Sequence, residues 1–289
     1  MSRRTLLFMP GNNPGMLFSS DVLGADTAVF DLEDAVSLDE KDSARILVRN
    51  ALNTFEFKGQ EIAVRVNPMD SPYWEDDLNE IVKAQPDIIV IPKASVESVT
   101  CLENRIEEIR KEASIEKEIK TMLLIETAMG IMDIVNICKA SKLFVGLILG
   151  AEDYSSNMGV ERTKSNKEIE FARFTLATCA KAFEVDSIDT PYTDVEDFDG
   201  LIKDTTFAKS IGLSGRLLIN PRQVEYVHKV LSPTEEEIEE ASAILQKADE
   251  AKKEGLGVFS YKGKMVDLPV IKRAENTINN AKKWGLLNA

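Results

Sequence analysis

Thr121-Met122-Leu123-Leu124-Ile125-Glu126 is an apolar run that stops on a carboxylate, and Leu143-Phe144-Val145-Gly146-Leu147-Ile148-Leu149 repeats the pattern before Gly150-Ala151-Glu152-Asp153. A short apolar run without polar alternation reads as a strand buried on both faces, as in a parallel sheet. Working outward, further strand-like runs fall at Thr5–Met9, Thr27–Leu32, Ile62–Val66, Ile88–Ile91, Asp186–Asp189 and Arg216–Ile219. Amphipathic stretches separate them. Val99, Leu102, Ile106 and Ile109 are spaced along one face of a helix, and Ser37 followed by Glu40 resembles a capping box opening another. Eight strands, each followed by a helix-length segment, predict an α/β fold, a (β/α)8 TIM barrel over residues 1–231. A doubly wound sheet also alternates this way but seldom in eight such regular units.

Residues 232–289 depart from that rhythm. Thr234-Glu235-Glu236-Glu237 opens a helix whose apolar stripe is Ile238, Ala241, Ile244, Leu245 and Ala248. Val258–Asp267 reads as a hairpin turning on Lys262-Gly263, and a last helix runs from about Pro269 to Trp284-Gly285. This is expected to be a C-terminal helical and hairpin extension, packing on the barrel or on a neighbouring subunit.

Composition excludes several classes. The 289 residues carry 35 Lys and Arg against 49 Asp and Glu, a formal net charge of −14, which argues against a general nucleic-acid binder. No apolar run reaches the ~18 residues that a membrane span needs. The apolar stretch before Pro10 is too short for a signal-peptide core. Cys101, Cys138 and Cys179 are odd in number and lack CxxC spacing, which predicts free thiols in a reducing, cytoplasmic setting. His228 is the only histidine. Multi-His zinc sites are thereby excluded, and its helix-like surroundings suit packing better than catalysis. Chemistry here must run on carboxylates, Lys and Arg.

In a barrel those groups matter where the strands end, because the active site lies at the C-terminal face. Six ends turn polar: Asp31-Leu32-Glu33-Asp34, Arg65-Val66-Asn67, Lys93, Glu126, Glu152-Asp153 and Asn220-Pro221-Arg222. The two-residue period places Asp31 and Glu33 on one face. Carboxylates from different strands with no imidazole suit a hard divalent cation, which takes one or two carboxylates and completes its shell with water and substrate oxygens. Glu126 and Asp153 are the best pair for Mg²⁺. Gly150, beside Ala151 and Glu152, would let backbone N–H groups approach a substrate carboxylate. Arg65 offers a bidentate contact to a carboxylate or enolate oxygen. Lys93 either pairs with Asp31 or Glu33 or forms a Schiff base. Asp31, Glu33, Asp34 and Lys93 are expected to stand behind these groups. No G-x-G-x-x-G and no glycine-rich phosphate loop is present, which disfavours nicotinamide and sugar-phosphate chemistry.

The stretches Arg3–Gly11, Asp31–Val36, Arg65-Val66-Asn67, Pro92-Lys93, Glu126-Thr127-Ala128, Gly150–Asp153, Asn220–Gln223 and Gly263–Pro269 together resemble the citrate lyase β-subunit family, within the wider group of malyl-CoA-lyase-like barrels. The resemblance implies cleavage of a 3-hydroxyacyl thioester into an acetyl thioester and a 2-oxo acid. It implies that Glu126 and Asp153 hold Mg²⁺, that Arg65 neutralises charge developing on oxygen, and that Asp267 handles the enolate's proton. Read without the resemblance, Asp267 is a turn aspartate. Asn220-Pro221, where many malyl- and citramalyl-CoA lyases carry His-Pro, tips the substrate toward a citryl thioester. The implied partners are an acyl carrier protein, an acyl-transferase α-subunit and further copies of the chain, with Arg3, Arg4, Arg216 and Arg222 as a candidate docking patch. A malyl- or citramalyl-CoA lyase with the same site, and a non-catalytic barrel subunit, are the alternatives.

Overall fold

Eight parallel strands close on themselves in a computed structural model that describes residues 3–253 and 255–287. They are β1 (Thr5–Pro10), β2 (Thr27–Asp31), β3 (Glu61–Arg65), β4 (Ile88–Ile91), β5 (Lys120–Ile125), β6 (Phe144–Leu149), β7 (Asp186–Asp189) and β8 (Gly215–Leu218). Each pairs with its sequence neighbour, and β1 closes the ring on β8 through Leu6 opposite Leu217. Helices lie between the strands, as the expected TIM-barrel fold requires.

The period of two decides what faces where. One parity points inward: Leu6, Val29, Ala63, Val90, Met122, Leu124, Ile148, Ile188 and Leu217 form one buried cluster with Phe8 packed against it. The other parity, including Ile89, Ile91, Leu123, Ile125, Leu147 and Leu149, packs against helices such as Val96–Glu112, which buries Val99, Leu102, Ile106 and Ile109. Following the inward parity past the apolar layer leads to Asp31, Arg65, Glu126, Gly150, Thr190 and Ile219. The polar layer is thus the next storey of the same stack.

One local expectation fails. Ser37 does not cap a backbone N–H; its hydroxyl donates to Glu40 Oε2 at 3.1 Å, and a 3₁₀ turn, Leu38–Glu40, precedes the helix Lys41–Thr54. At Thr234 the box does close: Glu237 N donates to Thr234 Oγ1 at 3.2 Å, and Thr234 N to Glu237 Oε2 at 2.9 Å.

The chain divides into two compact units, Met1–His228 and Lys229–Ala289. In the second, helices Glu235–Lys253 and Leu268–Lys283 enclose a small core of Ala241, Ile244, Val266 and Ala274. Its hairpin pairs β9 (Phe259–Tyr261) with β10 (Lys264–Val266) across Lys262 and Gly263. Both turn residues have positive φ, 47° and 76°, as the tight hairpin turn demands.

Candidate active site

A cavity of about 180 Å³ opens at the C-terminal ends of the strands, floored by Phe8, Leu124 and Leu217 and walled by Arg65, Glu126, Gly150, Asp153 and Thr190. Asp34, Ala151, Glu152, Pro191 and Ile219 complete its lining.

Arg65 is fixed before any ligand arrives. Its Nε and Nη2 donate to the two oxygens of Asp31, each at 2.7 Å. Asp31 is oriented in turn, accepting from Glu33 N at 2.9 Å and Ala35 N at 3.0 Å. Glu33 Oε2 lies 2.9 Å from Arg65 Nη1 without hydrogen-bond alignment, so it has an ion-pair contact but no donor. Burial pushes the Glu33 carboxyl up to about 8, with Glu126, Asp34 and Asp31 adding to the rise and Arg65 opposing it. For Arg65, burial alone would lower the guanidinium's pKa, and the fork to Asp31 outweighs it.

Glu126 is buried and accepts one hydrogen bond, from Lys93 N at 2.8 Å. Lys93 sits at φ 45°, a left-handed conformation that non-glycine residues seldom adopt, and it delivers that N–H. Its side chain turns away, with the ammonium 4.0 Å from Asp70. The expected pairing with Asp31 or Glu33 is therefore wrong, because Arg65 already occupies both carboxylates.

Gly150 also works differently from the expectation. Its N–H is spent on Ile125 O at 3.0 Å. What needs glycine is space: a Cβ there would stand 2.5 Å from Glu126 Cγ and 2.9 Å from its Oε1. The helix Ala151–Met158 follows directly and carries Glu152 and Asp153 in its first turn. Glu152 is exposed and accepts from Arg162 Nε at 3.1 Å. Asp153 is exposed to the cavity, and its charge helps drive the Glu126 carboxyl up to about 7, after burial, which is the larger cause.

Asp31, Glu33, Asp34 and Glu126 thus crowd one guanidinium, and Asp153 adds its charge beside Glu126. Among the described residues no cluster of three or more His, Cys, Asp or Glu forms a ready cage for a metal. A pair of carboxylates with surplus negative charge does fit a hard cation that keeps waters.

Two of the six polar strand ends contribute otherwise than expected. β4 supplies only the Lys93 N–H. β8 presents Leu217 and Ile219, while Asn220 caps a 3₁₀ turn by accepting from Arg222 N at 3.0 Å, and Arg222 is ion-paired with Glu196 outside the cavity. The docking patch also dissolves. Arg216 is buried between Asp189 and Asp204, Arg3 is buried against Glu61 and Asp186, and Arg4 is paired with Asp26. His228 lies at the opposite end of the barrel, its Nε2 2.9 Å from Thr5 Oγ1. The three cysteines are free, with Cys138 and Cys179 Sγ atoms 3.7 Å apart in the helix layer. Asp267 caps the last helix, accepting from Val270 N at 3.3 Å.

Some supports were not anticipated. Lys41 reaches back to donate to Leu32 O at 2.8 Å and Glu33 O at 2.6 Å. Asn67 Nδ2 donates to the same Leu32 carbonyl at 2.9 Å and to Asp77 Oδ2 at 2.7 Å. Together they clamp the loop that carries Asp31, Glu33 and Asp34. The signal for Thr190 was the inward parity of Ile188, two residues earlier.

The sequence profile of the HpcH/HpaI aldolase/citrate lyase family matches residues 4–221. The chain is 41% identical over 283 residues to citrate lyase subunit beta of Leuconostoc mesenteroides subsp. cremoris, covering 96% of this chain and 93% of that protein. It is 30% identical over 290 residues to mitochondrial citramalyl-CoA lyase of Rattus norvegicus, covering 96% and 86%. Its fold is similar to CitE from Mycobacterium tuberculosis, crystallised in complex with magnesium, acetoacetate and coenzyme A, with TM-score 0.79 and 25% identity over 97% of this chain and 98% of that one. With its site at the mouth of such a barrel, the chain belongs to the HpcH/HpaI aldolase/citrate lyase family and is a carbon–carbon lyase.

Proposed function

We propose that the chain is a magnesium-dependent lyase cleaving a citryl thioester to oxaloacetate and an acetyl thioester. The observation that carries this reading is the cavity that gathers Glu126, Asp153 and Arg65 above an apolar floor. Magnesium held by Glu126 and Asp153 would supply Lewis-acid polarisation of the substrate oxygen. The chain's own groups do the rest. Arg65, immobilised by Asp31, places positive charge where oxygen becomes negative, at no reorganisation cost. The first turn of the helix at Ala151 directs N–H groups and its dipole at a substrate carboxylate. The substrate hydroxyl gives its proton to Asp267, and rupture of the C–C bond leaves the 2-oxo acid and a thioester enolate. Asp267 then returns a proton to the enolate carbon.

Asp267 belongs to the second unit, which we take to pack on a barrel, its own or a neighbour's, so that the residue reaches a site. A citrate lyase β-subunit role implies a carrier-bound thioester, an α-subunit and homo-oligomers; the similarity to citrate lyase subunit beta over nearly the whole chain supports these partners. One observation favours a citramalyl thioester instead. Among the described residues Arg65 is the one cation lining the cavity, and Phe8 and Leu217 on its floor and Ile219 beside them are apolar, which suits an oxo acid bearing a methyl group.

Turnover of citryl carrier protein, citryl-CoA, citramalyl-CoA and malyl-CoA, with Mg²⁺ and with excess EDTA, decides. The highest kcat/KM is expected for the citryl thioesters, with none in EDTA; preference for citramalyl-CoA would select the second reading. Mixing Asp267→Asn with Glu126→Gln chains is expected to restore partial activity if Asp267 acts across subunits.

A further inference from the structure

Among the described side chains lining the cavity, one is polar and uncharged: Thr190. We propose that Thr190 is a substrate-binding residue whose hydroxyl donates a hydrogen bond to an oxygen of the bound 2-oxo acid portion, an inference that rests on the reading of the cavity given above.

The backbone at Thr190 is pinned from behind. Arg216 Nε donates to its carbonyl oxygen at 3.1 Å. Arg216 is itself immobilised, donating to Asp189 Oδ2 at 2.9 Å and Thr205 Oγ1 at 2.6 Å, with Asp204 as a further partner. Arg173 forks onto Asp189 with both contacts at 2.9 Å. This buried network lies outside the cavity lining and meets it at Thr190.

The hydroxyl is oriented from the front. Thr190 is fully buried, and its Oγ1 accepts from Ala151 N at 3.3 Å, at the start of the helix that carries Asp153. A hydroxyl has lone pairs and one proton. With a lone pair engaged by Ala151, the proton remains, and among the described residues it has no acceptor. Buried donors are rarely left unspent, and the cavity is the direction from which an acceptor can come. The donor is neutral, so it selects an oxygen acceptor without altering the charge balance set by Glu126, Asp153 and Arg65. The competing explanation is that the threonine merely fills space with its methyl group, and the two are separable.

Oxaloacetate binding in saturating Mg²⁺ is measured by calorimetry for the natural protein, Thr190→Val and Thr190→Ser, together with Mn²⁺ binding in the absence of oxaloacetate. Loss of one charge-assisted donor predicts that Thr190→Val weakens oxaloacetate by about tenfold, while Thr190→Ser stays within about threefold of the natural protein. Mn²⁺ affinity is expected to change by less than about twofold, since the hydroxyl is not a ligand of the metal. Oxaloacetate binding by Thr190→Val equal to that of the natural protein would overturn the proposal. So would a serine variant as weak as valine, or a loss of Mn²⁺ affinity matching the loss for oxaloacetate, which would make Thr190 a support for the helix of Asp153. If the natural protein itself fails to bind oxaloacetate with Mg²⁺, the reading of the cavity fails first, and Thr190 with it.

Discussion

At the N-terminal ends of the strands Glu61 lies in a fork from Arg3, with Nε at 2.5 Å and Nη2 at 2.7 Å, whereas at the C-terminal ends Glu126 receives a single backbone N–H at 2.8 Å. The contrast extends around each rim. Below, Asp186 is paired with Arg3, Asp26 with Arg4 and His228, and Asp87 with Lys117. Burial would raise the Asp26 carboxyl, but the hydrogen bonds from His228 and Arg4 overcome it and hold the group well below the usual range. Above, burial wins, and Glu126 and Glu33 rise to about 7 and about 8. One rim neutralises its acids and joins chain segments far apart in sequence. The other leaves negative charge in surplus, which costs stability unless a cation arrives.

The sharpest way to break this comparison is to remove the upper charges. Glu126→Gln and Asp153→Asn keep the shape of the site, so both variants are expected to fold while kcat falls by about a thousandfold or more. Steady-state rates at saturating Mg²⁺ check this, and a loss under tenfold in either variant would sever that residue from the metal.

Below, the expectation reverses. Arg3→Met removes the guanidinium that Glu61 and Asp186 share, and breaking such a buried pair costs about 3–5 kcal/mol. Urea unfolding should show that loss, while the protein still folded at low temperature turns over at the natural rate. Equal stability of Arg3→Met and the natural protein would mean that the lower rim's pairing is incidental.

How much of this was readable in the residues alone follows from the same geometry. Most strands buried on both faces leave unbroken apolar runs, and β4 lies where its run predicts; β7, which reads Asp186-Ser187-Ile188-Asp189, is also placed to the residue, and the others to within a residue or so at either end. Counting in twos from those runs also reaches Asp31, Arg65 and Glu126. Polar strand ends off that parity mislead. Val90 and Leu217 set the inward parity, so Lys93 and Asn220 fall on the outward one, and the positive φ at Lys93 and the capped turn at Asn220 take both out of the ladder. Lys41 escapes for another reason: it lies on a helix and reaches back across the loop to Leu32 and Glu33. No spacing rule connects a helix side chain to the carbonyls of a loop before it.

A third test reads the surplus directly as stability. In metal-free protein Glu126 and Glu33 titrate above the ordinary carboxyl value of 4.5, so the folded state retains protons that the unfolded chain has released. Their contribution is therefore fully present below about pH 4.5 and is lost as pH rises toward about pH 8. Glu126→Gln should flatten part of that slope and make the metal-free protein more stable at pH 8 by about 1–3 kcal/mol. Added Mg²⁺ should stabilise the natural protein increasingly above about pH 7, where Glu126 is ionised, and leave Glu126→Gln unmoved. Thermal melting from pH 5 to pH 8, with and without Mg²⁺, supplies the data. A metal-free protein whose stability climbs over that range would show that burial and neighbouring charge do not raise the upper carboxyls as the geometry requires.

The smallest effect expected belongs to the only histidine, and it separates the rims most cleanly. A lyase whose rate changes near neutral pH invites assignment of that change to histidine, the usual group titrating there. His228, however, belongs to the lower rim, bonded to Thr5 and 3.3 Å from Asp26, with the apolar interior of the barrel between it and the cavity. Glutamine can preserve a hydrogen bond at that position. His228→Gln should therefore change kcat by less than about twofold and stability by less than about 1 kcal/mol, the scale of one hydrogen bond or a partly exposed ion pair. The pH–rate profile of the variant should overlay that of the natural protein, because the bonds of His228 go to Thr5 and Asp26 and not to the groups of the cavity. A profile shifted or flattened by this single substitution would place acid–base chemistry on the wrong end of the barrel and undo the separation of the two rims.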